Sequence, residues 1–210
     1  MVRERGEIVV LMDIDKFDKR PLVVSMVGLC GSGKSTLAKK LSRKLNASVF
    51  TIGHFRDDVY DKCSKGAEYP KQAQIGEVSN RDKQLIELRA WLGFWEMLLD
   101  KLCLGQNVII DTSGLNKRLT NWLEDISWNV AKVIKVKLVC PRSVLGIRLR
   151  SRKQKQKGFF PYDFDGHEGF NKELSKHLRE ERANITVDTG RLDKEETYKK
   201  VMKDLKRYGV

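Results

Sequence analysis

With 210 residues, 40% of them apolar, the chain can bury one sizeable core, and no shift in composition divides it into two halves. It has no run of about 18 apolar residues, which excludes a helix long enough to cross a membrane, and the charged opening Met1-Val2-Arg3-Glu4-Arg5 lacks the apolar centre of a secretory signal, so a cytoplasmic protein is expected. Lysines and arginines number 41 against 28 acids, a net charge of +13 that suits a polyanionic partner such as RNA or DNA, while Cys30, Cys63, Cys103 and Cys140 lack metal-ligand spacing and exclude a zinc centre or a disulfide framework.

Residues 1–20 are expected to form an extension: the apolar run 8–12 is followed by a charged stretch and Pro21. Leu22-Val23-Val24-Ser25-Met26-Val27 predicts a buried strand. It leads into Gly28-Leu29-Cys30-Gly31-Ser32-Gly33-Lys34-Ser35-Thr36, which reads G-x-x-x-x-G-K-[ST], and residues 37–45 that follow are helix-forming. Strand, loop and helix in that order are what a phosphate-binding loop requires. Gly28, Gly31 and Gly33 let the backbone around Ser32 wrap a polyphosphate with N–H groups inward, and the helix start at Ser35 and Thr36 adds its positive dipole end. Lys34 is placed to reach the β and γ phosphates and Ser35 to ligate Mg²⁺, so the chain is expected to bind a nucleoside triphosphate.

Residues 48–52 read as a second strand ending at Gly53-His54-Phe55-Arg56-Asp57-Asp58, and 63–80, with Gly66, Pro70 and Gly76, as a loop region with weak helix. Ser79 with Asp82 three residues on opens a long amphipathic helix to about 104, with Leu85, Leu88, Trp91, Leu92, Trp95, Leu98, Leu99 and Leu102 at helical spacing. A short buried strand at 108–111 ends in Asp111. A helix around 117–130, a strand at 133–139, a helix opened by Pro141, a break at 157–163, a helical stretch at 168–182, a strand at 184–188 and a helix at 194–208 follow. Strands alternating with helices predict an α/β fold: a parallel five-stranded sheet covered on both faces.

Phosphoryl transfer requires mainly that two substrates be held in line and that charge on the moving group be neutralised. Asp111, at the end of an apolar strand, is the candidate Mg²⁺ carboxylate; a turn or capping aspartate is the plain alternative. Asp57 and Asp58 follow strand two at the edge where open α/β sheets bind ligands, so either is a candidate to accept the proton of an attacking hydroxyl, and Arg56 to hold an acceptor phosphate; adjacent acids also simply cap helices. Between 142 and 157 lie seven basic residues and no acid. Arg148 and Arg152 are four apart on one helix face, which suits clamping phosphate oxygens, although a solvated basic face reads the same way. The tryptophans are expected in the core; Phe159, Phe160 and Tyr162, beside the basic run, are candidates to stack on bases.

Gly31-Ser32-Gly33-Lys34-Ser35-Thr36, Arg56-Asp57-Asp58, Gly105-Gln106-Asn107-Val108-Ile109-Ile110-Asp111-Thr112 and Arg148-x-x-x-Arg152 together resemble the P-loop kinase group that contains the polynucleotide 5′-kinases and related AAA-type small kinases. This resemblance implies a three-layer P-loop NTPase fold over 21–210, with an acceptor-binding region at about 53–104 and a small mobile lid at about 148–165. It also implies ATP and Mg²⁺ as cofactors, Asp57 as base for a nucleotide or nucleic-acid 5′-hydroxyl acceptor, Asp111 at the metal, and Arg152 on the transferring phosphoryl group. Tyr60 stands where that group carries an arginine three positions beyond the base. A second resemblance, of Thr51-Ile52-Gly53-His54-Phe55-Arg56 and Val187-Asp188-Thr189-Gly190-Arg191 to nucleoside monophosphate kinases of the cytidylate type, implies instead that Arg56 holds an acceptor phosphate. An ATP-binding, RNA-interacting switch protein that transfers no phosphate is the alternative from another class.

Overall fold

The computed structural model describes residues 20–64, 80–112, 117–155, 172 and 175–210. At its centre is β1 (Leu22–Gly28), buried at every position, as a run of β-branched and apolar residues must be when helices cover both faces of a parallel sheet. It is followed by α1 (Lys34–Leu45), β2 (Ala47–Phe50), α2 (Ile52–Ser64), α3 (Asn80–Cys103), β3 (Asn107–Asp111), α4 (Lys117–Asn129), β4 (Lys132–Val139), α5 (Arg142–Lys155), β5 (Ile185–Asp188) and α6 (Lys194–Lys206). Strand order is β2-β3-β1-β4-β5, and every pairing is parallel. The expected five-stranded parallel sheet with helices on both sides is thus the observed one.

Alternation along β1 divides the core. Leu22, Val24 and Met26 face one layer, where they meet Leu37, Ala38 and Leu41 of α1 and Val201 and Leu205 of α6. Val23 faces the other, with Phe94, Leu98 and Leu102 of α3 and Leu119, Leu123 and Ile126 of α4. Each large apolar side chain among them contributes roughly 1.5–3 kcal/mol by leaving water, so the two apolar layers hold the sheet between the helices. One polar side chain sets the level of the strands: Asn107 accepts from Leu22 N at 2.9 Å and donates to Leu45 O at 2.8 Å, tying the starts of β1 and β3 to the end of α1. The carboxyl ends of the central strands therefore come out at one edge.

Two expectations change. β2 ends at Phe50 and α2 begins at Ile52, so Arg56, Asp57 and Asp58 lie in the second turn of a helix rather than in a strand-end loop. The core face of α3 is Ile86, Ala90, Phe94, Leu98 and Leu102, while Leu85, Leu88, Leu92 and Leu99 are exposed; both sets have helical spacing, and only packing chooses between them. Cys30, Cys103 and Cys140 are free thiols. The extension at 1–19, the outer part of the expected lid at 156–165, with Phe159, Phe160 and Tyr162, and His167 lie outside the described residues. Among the described residues no helix is long and apolar enough to cross a membrane.

Candidate active site

The loop after β1 takes its shape from its glycines. Gly28 has φ 155°, and a Cβ there would stand 2.7 Å from the carbonyl oxygen of Leu138 and 2.8 Å from Ser32 Oγ, closer than any side chain allows. The chain then turns, with Ser32 N donating to Leu29 O at 3.1 Å. Gly33, in the left-handed region at φ 97°, opens α1 without any side-chain cap, and the first turn holds no acid. The leading N–H groups of a helix have no acceptors within it, so this uncapped end presents donors and the positive end of the helix dipole to an anion. Lys34 Nζ donates to Gly28 O and Leu29 O, both at 2.9 Å, and so straps the loop into a ring. Ser32 Oγ is buried and has no hydrogen-bond partner among the described residues. A buried hydroxyl left unpaired is costly, and a phosphate oxygen in the cradle would satisfy it.

Two neighbours complete the edge. Asp111 closes β3 beside Met26 in the parallel register and is 7% exposed. Among the described residues no group of three His, Cys, Asp or Glu side chains converges. One carboxylate beside the loop nevertheless suits Mg²⁺, which takes few protein ligands and completes its shell with substrate phosphates and water. On the other side, Arg148 of α5 donates from Nη2 to Thr189 O at 2.6 Å and from Nη1 to Thr189 Oγ1 at 3.2 Å, with Gly31 O at 3.5 Å. Thr189 Oγ1 in turn donates to Ser32 O at 2.9 Å. Arg148 and Thr189 thus bind α5, the turn after β5 and the phosphate-binding loop into one unit. Arg152 lies one turn further along α5.

Arg56 pairs with Glu87 of α3, its Nη2 donating to Oε2 at 2.9 Å and its Nε facing Oε1 at 2.5 Å. Asp57, Asp58 and His54 are exposed on α2. Beneath them Phe50, Phe55, Phe94, Trp91, Trp95 and Trp122 form a continuous aromatic cluster with centroids 4.5–6.1 Å apart. These tryptophans are half-buried against the core and brace α3 on α4.

Residue-type reasoning alone missed Thr189. The signal was a polar turn, Asp188-Thr189-Gly190, directly after the last strand and at the same sheet edge as the loop. Nothing in the sequence tells which backbone oxygen its hydroxyl reaches.

No curated protein matches the sequence. Among solved structures the fold is similar to a gluconokinase from Sinorhizobium meliloti (18% identity, TM-score 0.56, covering 90% of this chain and 95% of that one). It is also similar to shikimate kinase from Aquifex aeolicus (21%, TM-score 0.55, 90% and 98%). A chain of the Pnkp1/Rnl/Hen1 RNA repair complex is similar as well (21%, TM-score 0.57), covering 78% of this chain and 47% of that one. At these identities the likeness establishes the fold alone, a parallel α/β sheet with a phosphate-binding loop after its central strand. Residues 24–165, from the centre of β1 through α5 and beyond, match the AAA domain family, and the chain belongs to it.

Proposed function

We propose that this chain is a Mg²⁺-dependent kinase that transfers the γ-phosphoryl group of ATP to a hydroxyl on a nucleotide or a nucleic-acid 5′ end. The observation that carries this reading is the cradle itself: an uncapped helix start, an unpaired buried Ser32 hydroxyl and a lysine-strapped glycine loop, with a buried carboxylate at the next strand end. Gly28, Gly31, Ser32, Gly33, Lys34, Ser35 and Thr36 hold the triphosphate. Ser35 and Asp111 would hold Mg²⁺, which when bound would supply positive charge to the phosphates. The acceptor oxygen forms its bond to the γ-phosphorus as the bond to the β–γ bridging oxygen breaks, leaving ADP, and Asp57 takes the hydroxyl proton. Lys34 neutralises charge on the transferring group, and Arg152, one helical turn from the anchored Arg148, is assigned to its equatorial oxygens. Asp58 supports the acceptor beside Asp57. Residues 21–210 form the kinase domain, with the acceptor region at about 53–104 and the lid at about 148–165. Among similar folds, the names of a gluconokinase and a shikimate kinase support phosphoryl transfer, and that of an RNA repair complex is compatible with a nucleic-acid acceptor.

Arg56 favours a hydroxyl over a phosphate acceptor. A guanidinium already paired with the Glu87 carboxylate, through one Nη2–H hydrogen bond and an ionic contact at Nε, must give up that pair before it can hold the acceptor phosphate of a nucleoside monophosphate kinase.

Labelled ATP offered with 5′-hydroxyl oligonucleotides, nucleosides, nucleoside monophosphates and small hydroxyl acids tests the reading. The expected outcome is label on a hydroxyl acceptor. In Asp57→Ala, turnover falls by about 10²–10⁴-fold, the usual contribution of a positioned base, while affinity for an ATP analogue stays within about twofold. Label on none of these acceptors despite ATP binding would refute it. Turnover that survives Asp57→Ala but falls in Arg56→Ala would transfer the proposal to monophosphate acceptors.

A further inference from the structure

Thr189 stands in the turn after β5, 4% exposed, and its neighbours leave it little freedom. Its N–H donates to Val139 O at 2.8 Å. Gly190 N donates to Asp188 Oδ1 at 2.8 Å, and a Cβ on Gly190 would stand 2.3 Å from Pro141 Cδ, so the turn is packed directly on the segment that follows β4. The Thr189 hydroxyl has one proton and two neighbouring carbonyls, Ser32 O at 2.9 Å and Val139 O at 3.3 Å. Arg148 Nη1, at 3.2 Å, can only donate, so it occupies a lone pair of the hydroxyl. The proton goes to Ser32 O, which is the nearer of the two, while Val139 O already accepts from the Thr189 N–H.

Ser32 and Gly33 share one trans peptide, a flat unit in which C=O and N–H point in opposite directions. With Ser32 O drawn to Thr189, the Gly33 N–H faces away from the β5 turn. It has no acceptor among the described residues, and a Cβ on Gly33 would meet nothing within 4 Å, so the space beside it is open. We infer that Thr189 is a positioning residue for nucleotide binding: by holding the Ser32 carbonyl outward, it aims the Gly33 N–H at a phosphate oxygen of the bound nucleotide. Arg148 fixes the direction of the hydroxyl, so α5 sets the loop through Thr189. The inference rests on the proposed binding of ATP phosphates by the loop, and not on which acceptor receives the phosphoryl group.

Calorimetric titration of the full chain with ADP, with the Gly33 amide proton followed by NMR, tests the role. In wild type that proton moves downfield on saturation, as a donor to a phosphate oxygen does. Thr189→Ser keeps the hydroxyl, retains the movement and binds ADP within about twofold of wild type. Thr189→Val removes the proton that Ser32 O receives and weakens ADP binding about tenfold, the equivalent of one hydrogen bond to a charged group, and the downfield movement at saturation shrinks. Thr189→Ala, which adds no methyl group in place of the hydroxyl, gives the same two changes and serves where valine disturbs the packing. A residue that only stabilised the fold would lower the urea midpoint and leave the Gly33 shift at saturation unchanged. Wild type that binds no ADP overturns the nucleotide reading, and this inference with it. Wild type that binds, with Thr189→Val and Thr189→Ala both within about twofold of it or both showing its Gly33 shift at saturation, overturns the role of Thr189 alone.

Discussion

Gly28 shows how much of the site rests on single atoms. Its φ of 155° and the 2.7 Å approach to Leu138 O leave no room for a methyl group, and the obstacle is backbone of the neighbouring strand, which cannot rotate away. Gly28→Ala is therefore expected to cost about 3 kcal/mol, at the upper end of overpacking effects, and to reduce nucleotide binding because the loop moves with it. Urea unfolding checks the first part; a change below about 1 kcal/mol would mean that the loop relaxes without strain. The same scale explains why Lys34 was legible and Thr189 was not. Lys34 acts on carbonyls five and six residues before it, Leu29 and Gly28, so its role is written in a local motif. Thr189 acts on Ser32, 157 residues away, and any buried hydroxyl in that turn would look alike in sequence.

At the level of elements, α6 has the most complete local signal. Asp193 caps it, accepting from Glu195 N and Glu196 N, and Glu196 reaches back to Asp193 N at 2.8 Å, a full capping box. The Glu196 N–H bond, above all, holds the Asp193 carboxyl below its ordinary range, with further help from Glu195 N–H and nearby Lys199 and Lys40. A carboxylate whose folded pKa is lowered stabilises the fold above its unfolded value of about 4 and loses that contribution as pH falls through the folded value. Asp193→Ala should thus lower the melting temperature by a few degrees at neutral pH, and the gap to wild type should close on acidification below about pH 4. A gap constant across that range would remove the charge from the explanation. α3 is the opposite case. Its periodicity fits two faces equally, and Phe94 with the aromatic cluster around it, not the helix's own sequence, decides which one enters the core.

For the whole molecule, the excess of 13 positive charges is not one clamp. Arg148 is turned inward to Thr189, Arg142 donates to Ser175 Oγ, and Arg150 is exposed, so the basic run of α5 is divided between structure and surface. If the remaining charge meets a nucleic-acid acceptor, binding of a single-stranded oligonucleotide should weaken with salt, the logarithmic slope being about −0.7 for each phosphate contacted. A flat response would leave the charge as a solvated surface and shift the acceptor toward a small molecule.

The phosphate-binding loop and the alternation of strands and helices followed from the sequence alone, because each depends on residues within a few positions of one another, and that alternation implies a parallel sheet. Tertiary structure decided what joins distant segments: the strap from Arg148 through Thr189 to the loop, the capture of Arg56 by Glu87, and the choice of the inner face of α3. Those contacts are set by which strands lie side by side in the order β2-β3-β1-β4-β5, and strand order is a property of the packed chain that no local stretch encodes.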